Sequence, residues 1–489
     1  MKFEELERKV ELLLPNLGPE GQMLVELFMP FCRGLHEENE RLRKENKELR
    51  DQLALNSRNS SKAPSQDINR PVKRRIESGV AKRPAGGQKG HKGQGGKLKD
   101  NPDHIVSYKL DDCPECGQDL RQVEVEEVVR KQVEDLPPIK TVVTEYQMEV
   151  KTCPGCSVRW QAGGCEQQHE FEYGPRLKAL AVYLSAFQFI PQKRVKELLG
   201  LFGVELSTGT LNNFRKSAAK RLGSFVEGLR KKLEQSPAAY FDETGLRVGG
   251  IGHWVHVACD KMYSLFGIYR GRGKKAHVEM GVLPGFTGIA HRDAYRPYDD
   301  YAKKRDSLCC GHIVRELEFA IERDGQQIWA KPLKELLLEI NKQVSGRKEG
   351  VADVRWQGRY RKRYRGLVAQ GLLMNPEAKR PENQTRGSTK QSKTYNLLKR
   401  LGDREEDILR FMAEPLAEFT NNQAERDLRM NKVRAKVSGG FRELEPAQEY
   451  MRIRSLIGTA VKQSVCPLQI LENVFTQGNS DYLRLIHPD

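Results

Sequence analysis

Three periodicities run along the chain, and each predicts a different kind of element. From Phe28 to Leu53 the apolar positions follow a heptad. Phe28, Leu35, Leu42 and Leu49 take one core position, and Cys32, Asn39, Asn46 and Leu53 the other. With leucine at d, both asparagines fall at a, where a buried amide costs stability but fixes register and favours a dimer. Glu38 with Arg43 and Glu45 with Arg50 are attractive across a parallel pair, so residues 1–55 are predicted to hold a leucine-zipper-like coiled-coil helix. A solitary amphipathic surface helix is the competing reading.

Residues 171–235 carry plain helical spacing. Leu177, Leu180, Ala181, Leu184 and Phe187 mark one helix, and Pro191 opens a second through Val195, Leu198 and Leu199. After a break at Gly203, Ser207-Thr208-Gly209-Thr210 caps a basic helix carrying Arg215 and Lys216. Helix, short turn and polar helix is the helix-turn-helix pattern, with a plain helical bundle as the alternative.

Near residue 238 the period changes to two. Residues 238–248 read as a buried strand that sets Asp242 inside an apolar run. Strands follow at 253–258 and 263–269, and a fourth at 288–295 ends on Asp293. Three successive strands and a fourth closing on an Asp match the sheet order of a ribonuclease-H-like α/β domain. There the first and fourth strands are neighbours, so Asp242 and Asp293 are expected to meet. A third carboxylate, Glu425, lies on a predicted helix with Asn421 or Asn422 as its cap. Glu425, Arg429 and Lys432 are spaced i, i+4 and i+7 and share one face, which suits metal ligation beside phosphate; a salt-bridged surface helix gives the same pattern.

Charge sharpens this picture because the formal +17 is uneven. Residues 56–99 hold 12 Lys/Arg against 2 Asp/Glu, and residues 355–400 hold 13 against 2. The remainder is close to neutral. Polycationic segments between neutral modules point to a polyanion, with double-stranded DNA first. The first segment has no aromatic residue, and its Lys73, Arg74, Arg75, Lys89 and Lys92 suit phosphate contacts without base reading. A solvated linker is the alternative. In the second segment Trp356, Tyr360, Tyr364 and Tyr395 interleave with the cations, a pattern that fits stacking on DNA. There is no apolar run of 18 residues and no signal-peptide core after Met1, so a cytoplasmic protein without membrane contact is expected.

Of ten cysteines, four form two tight pairs, Cys113-Pro-Glu-Cys116 and Cys153-Pro-Gly-Cys156. Four thiolates at this spacing complete a closed structural Zn²⁺ site, with redox use of one pair as the alternative. The Val, Thr and Tyr alternation of residues 123–151 predicts a small β-ribbon between them. Cys309-x-x-His312 supplies only two ligands and is read as a structural contact.

Longer motifs carry a resemblance. Residues 59–65 and 86–93, both cysteine knuckles, residues 173–177, Asp242-Glu243-Thr244-Gly245, Arg272-Gly273-Lys274, residues 309–317, Asn421-Asn422-Gln423-Ala424-Glu425-Arg426 and residues 438–442 together resemble the transposases of the insertion sequence 66 family, over most of the chain. The resemblance implies a bacterial DDE transposase with Asp242, Asp293 and Glu425 as catalytic carboxylates. These would hold two Mg²⁺ (or Mn²⁺) ions, cut transposon ends and join them to target DNA. Trp254 is read as a buried strand residue, with base stacking as the alternative, and Asp299, Asp300 and Asp306 as lacking a preceding strand.

The expected organisation is a dimerisation helix at 1–55, a basic linker at 56–104, a β-rich zinc ribbon at 105–170 and a helix-turn-helix-like domain at 171–235. A catalytic domain follows at 236–463, with a largely helical insertion at about 302–415, and then a C-terminal segment at 464–489. Expected partners are transposon-end and target DNA, a second copy or higher oligomer, and accessory proteins of the same element, in a nucleoid-associated location. The rival functions are a ribonuclease-H-like nuclease and a zinc-containing DNA-binding repressor or accessory protein with inactive carboxylates.

Overall fold

The computed structural model describes residues 3–56, 59–60, 97–162, 171–323, 327–346, 353–380, 389–476 and 480–486. Lys73, Arg74, Arg75, Lys89 and Lys92 lie outside the described residues. Two compact units divide the chain, one of residues 1–70, 167–197 and 206–489, the other of residues 71–166 and 198–205.

In the larger unit α1 (Phe3–Leu13) precedes α2 (Pro19–Ala54), a helix of 36 residues. Its heptad side chains lie open: Phe28, Leu35, Leu42 and Leu49 are each 44% exposed or more.

The smaller unit holds the two cysteine knuckles, and they are built alike. In the first, the Cys113 amide donates to Gln118 O and the Gly117 amide to Cys113 O; in the second, Cys153 donates to Val158 O and Ser157 to Cys153 O. The fifth residue of each turn takes a left-handed conformation, Gly117 at φ +74° and Ser157 at +57°, as a turn this tight demands. The second knuckle is the tip of an antiparallel hairpin of β1 (Val150–Thr152) and β2 (Arg159–Gln161). The β-ribbon expected over 123–151 is otherwise absent: residues 123–149 form no strand, and Val125, Val129, Val133 and Val143 are exposed. Alternation alone does not make a strand without a partner chain to pair with.

Beyond residue 171 the chain continues with α3 (Pro175–Ala186), α4 (Gln192–Gly200), α5 (Thr208–Arg221) and α6 (Gly223–Glu234). Ser207 caps α5 by accepting from the Thr210 amide at 3.0 Å. The sheet follows: β3 (Ala238–Val248), β4 (Ile251–Cys259), β5 (Ser264–Tyr269), then α7 (Lys274–Met280), β6 (Ile289–Arg292) and β7 (Arg305–Leu308). The strand order is β5-β4-β3-β6-β7, antiparallel among the first three and parallel from β3 through β6 to β7. Asp306 therefore does lie on a strand, and the sheet runs into the region expected to be insertion. Four residues, Arg-Asp-Ser-Leu, are too short and too polar for periodicity to mark.

The remaining helices are α8 (Cys310–Arg323), α9 (Ala330–Ser345), α10 (Val354–Met374), α11 (Lys393–Asp403), α12 (Glu405–Ala413), α13 (Asn422–Ser438), α14 (Leu444–Lys462) and α15 (Pro467–Phe475). Helices α8 to α12 share one core. Trp356, Tyr360 and Tyr364 are buried in it, and Tyr395 is buried on α11. The aromatics of the second basic segment are thus core residues rather than a stacking surface for DNA. Their cations are partly neutralised too, Arg361 and Arg365 by Glu405 and Arg363 by Glu339. At the other edge, α14 closes the sheet: Ser455 Oγ accepts from the Phe266 amide at 2.9 Å and Thr459 Oγ1 from the Ser264 amide at 3.2 Å. Hydroxyls one helical turn apart thereby satisfy edge donors that would otherwise invite a further strand. No helix among the described residues is long and apolar enough to cross a membrane.

Candidate active site

The parallel pairing of β3 with β6 matches Ala238 to Ile289 and Tyr240 to His291. Two more steps of that register bring Asp242 level with Asp293, just past the end of β6. Opposite them stands Glu425 in the first turn of α13. Asn421 sets that helix in place, but not as the cap expected: its side chain makes no capping bond. Instead Asn421 Nδ2 donates to Phe241 O at 2.8 Å, and its amide donates to Cys309 Sγ at 3.2 Å. The Glu425 helix is thereby tied to the residue next to Asp242 and to the end of β7.

The electrostatics of the four carboxylates differ. Asp242 accepts from the Glu243 amide at 2.8 Å and has no salt-bridge partner among the described residues. Burial first, then the charge of Glu243, then Asp293 and Glu425, push its pKa well above the ordinary carboxylate value. Glu243 was not singled out from the sequence as a separate group, yet its side chain is fully buried. It is bound by Arg272 Nε and by the Tyr298 hydroxyl at 2.6 Å; burial still raises its pKa. Arg272 Nη2 also reaches Asp293 Oδ2 at 3.2 Å. Its guanidinium lies 3.8 Å from the Tyr295 ring centroid and 5.1 Å from that of Trp254. Trp254 is therefore one wall of an arginine sandwich. Glu425 has Arg315 at 3.6 Å.

A cluster of acids, Glu243 buried and Asp242, Asp293 and Glu425 partly so, with too few cations is a setting that a divalent metal relieves. Asp242, Asp293 and Glu425 fit such an ion by oxygen chemistry, although they do not form a group of ligand atoms all within 4.8 Å. Among the described residues, Cys309, His312 and Glu425 do. A cavity of about 250 Å³ opens beside them, lined by Arg272, Asp293, Tyr295, His312, Glu316 and Arg400 among others.

The knuckle thiols fit zinc by chemistry. The backbone amides of Cys116 and Glu115 hold the Cys113 thiol below its ordinary value, and those of Cys156 and Gly155 do the same for Cys153. Metal binds thiolate, so this favours it. The four sulfurs are not gathered into one group within 4.8 Å; each knuckle is fixed by its own turn, and drawing the two together is the work a metal does in such modules.

The predicted DNA-contacting cations divide. Lys432 Nζ donates to Gly245 O at 2.5 Å, three residues beyond Asp242, and Arg429 is exposed one turn from Glu425. Lys216 is exposed, with Glu445 at 3.6 Å. Arg215 is not free: its Nε donates to the largely buried Glu449 at 2.8 Å and its Nη1 to Asn212 at 2.7 Å. Helix α5 packs against α14 and α3, so its basic side chain serves that packing. A helix read alone from sequence gave no sign of the Glu449 partner, 234 positions away.

Residues 171–449 match the Transposase IS66 family, residues 111–157 the zinc-finger binding domain of transposase IS66, and residues 2–97 a family of unknown function, DUF6444. No curated protein matches the chain at significant similarity.

Proposed function

The chain belongs to the IS66 transposase family, and we propose that it cleaves transposon ends and joins them to target DNA at a DDE centre made of Asp242, Asp293 and Glu425. The observation that carries this reading is the undercompensated acid cluster at the β3–β6 register, faced by the α13 helix. The strand order, antiparallel then parallel about a central β3, supports a ribonuclease-H-like sheet beneath it.

Asp242, Asp293 and Glu425 would hold Mg²⁺ or Mn²⁺, two ions in the full arrangement, which would supply Lewis-acid stabilisation of the attacking and leaving oxygens. Arg272 holds Glu243 and Asp293 in place, and the Tyr298 hydroxyl fixes the far oxygen of Glu243, so the cluster keeps its shape under mutual repulsion. In the first reaction water attacks the phosphodiester at the transposon end, and the bond from phosphorus to the O3′ of the transposon's terminal nucleotide breaks. The phosphate stays on the 5′ end of the flank, and the freed oxygen takes the proton to become the transposon's 3′-OH. In the second that 3′-OH attacks a target phosphodiester, and the displaced target oxygen takes the proton. Arg429, Lys432 and Lys216 line DNA phosphates; Lys73, Arg74, Arg75, Lys89 and Lys92 add grip through their charge. A zinc ion on Cys113, Cys116, Cys153 and Cys156 would lock the two knuckles into one module. The open Leu35–Leu42–Leu49 seam of α2 supports pairing with a second copy.

Strand joining by purified full-length protein on labelled transposon ends tests the reading. A joined product supports transposition, cleavage without joining indicates a nuclease, and DNA binding with neither indicates an accessory or repressor protein.

A further inference from the structure

Cys309 follows β7, His312 lies in the first turn of α8, and Glu425 lies in the first turn of α13. Their donor atoms, a sulfur, a ring nitrogen and a carboxylate oxygen, lie within 4.8 Å of one another. This set is softer than the all-oxygen set of Asp242 and Asp293, and it suits a different ion. Two observations show a group in want of a partner. His312 Nδ1 is buried and has no hydrogen-bond partner among the described residues. Cys309 is buried, and its Sγ accepts a hydrogen bond from the Asn421 amide at 3.2 Å, which leaves the sulfur further acceptor capacity for an ion. A divalent cation answers both. Arg315, at 3.6 Å from Glu425 Oε1, compensates one carboxylate oxygen at a distance too long for a hydrogen bond.

We propose that Cys309, His312 and Glu425 bind one thiophilic divalent cation of the zinc class, with a coordination position left open, and that this ion competes with Mg²⁺ for Glu425. The binding site stands without the catalytic reading; only the competition rests on it.

The test is Co²⁺ uptake by the full chain given one equivalent of Zn²⁺, which the four-thiolate knuckles take ahead of the three-ligand site, comparing wild type with Cys309→Ser and His312→Gln. Wild type should take up one Co²⁺ with a thiolate-to-cobalt charge-transfer band. Cys309→Ser should lose the band, and His312→Gln should weaken uptake more than about tenfold, since even outer-shell partners of metal ligands are worth that much. Circular dichroism checks the fold, and the partly exposed His312 position serves if Cys309→Ser does not fold. Added Zn²⁺ should then suppress Mg²⁺-driven cleavage by wild type more than by His312→Gln. Superimposable cobalt spectra in all three proteins would overturn the site, and equal zinc sensitivity would overturn the competition. If no cleavage occurs at all, the catalytic reading fails while the cobalt result still decides the site.

Discussion

Two acid clusters sit back to back at the end of β6, and their balance of charge is opposite. Asp242, Glu243, Asp293 and Glu425 have Arg272 and Arg315 near them. Asp299, Asp306 and Asp407 have Arg292, Lys304, Arg404 and Arg410. Arg292 is fully buried, and its Nε and Nη2 each reach Asp306 at 2.7 Å. The result is that Arg292 hydrogen bonds hold Asp306 below its ordinary pKa against its own burial, whereas Asp242 is driven up. The neighbours Arg292 and Asp293 are the seam, with Arg292 Nη1 donating to Asp293 O at 2.9 Å. Balanced charge makes one cluster a structural clamp between β6, β7 and α12. Unbalanced charge gives the other an excess of negative charge that a bound cation would offset, and the proposed DDE centre rests on it.

The contrast predicts different penalties. Arg292→Met leaves Asp306 with Lys304 and Arg404 but without its two hydrogen bonds from Arg292, and urea denaturation should show a loss of about 3 kcal/mol. Asp242→Asn should lower end cleavage by at least about 10²–10³-fold, the scale for losing one stabiliser of transition-state charge, while leaving the fold intact. Its stability relative to wild type should also depend on pH. Ionising Asp242 opposes folding, so wild-type stability falls as pH rises from about 4 towards the raised pKa; Asp242→Asn is then the more stable protein at neutral pH, and the gap closes in acid. Asp306→Asn should do the reverse, because the contribution of Asp306 is complete above about pH 4 and is lost as pH falls. Tyr298→Phe leaves one Glu243 oxygen without its donor and should cost about 1.5–3 kcal/mol by the same denaturation measurement. Lys216→Ala removes an exposed ion pair and should change stability by less than about 1 kcal/mol; any effect on filter-bound DNA should then come from phosphate contact alone.

Sequence pattern revealed what local periodicity encodes. The runs at β3, β4, β5 and β6 carried apolar alternation strong enough to mark four strands, with Asp242 on the first and Asp293 one residue past the last. Their adjacency was expected from the likeness of the strand order to a ribonuclease-H-like sheet, and β3 does pair with β6; α13 announced Glu425. The IS66 match and the zinc-finger match agree with the motif resemblance. In the second basic segment the density of charge masks the spacing: Trp356, Tyr360, Tyr364 and Val368 recur every four residues, the stripe of a buried helical face, and all four are buried. Other features live in contacts between distant residues. No local pattern tells that Arg215 meets Glu449, that Asn421 grips Phe241 rather than capping its own helix, or that Glu243 is held by Arg272 and Tyr298.

The most direct measurement is Mg²⁺-dependent cleavage of a labelled transposon end by wild type, Asp293→Asn and Asp306→Asn, each shown to be folded at the assay pH. Asp293 and Asp306 both flank Arg292 in space, but only Asp293 belongs to the unbalanced cluster. Loss of cleavage in Asp293→Asn with cleavage kept in Asp306→Asn is the predicted result. Equal cleavage by wild type and Asp293→Asn would contradict a metal-dependent DDE centre at this site.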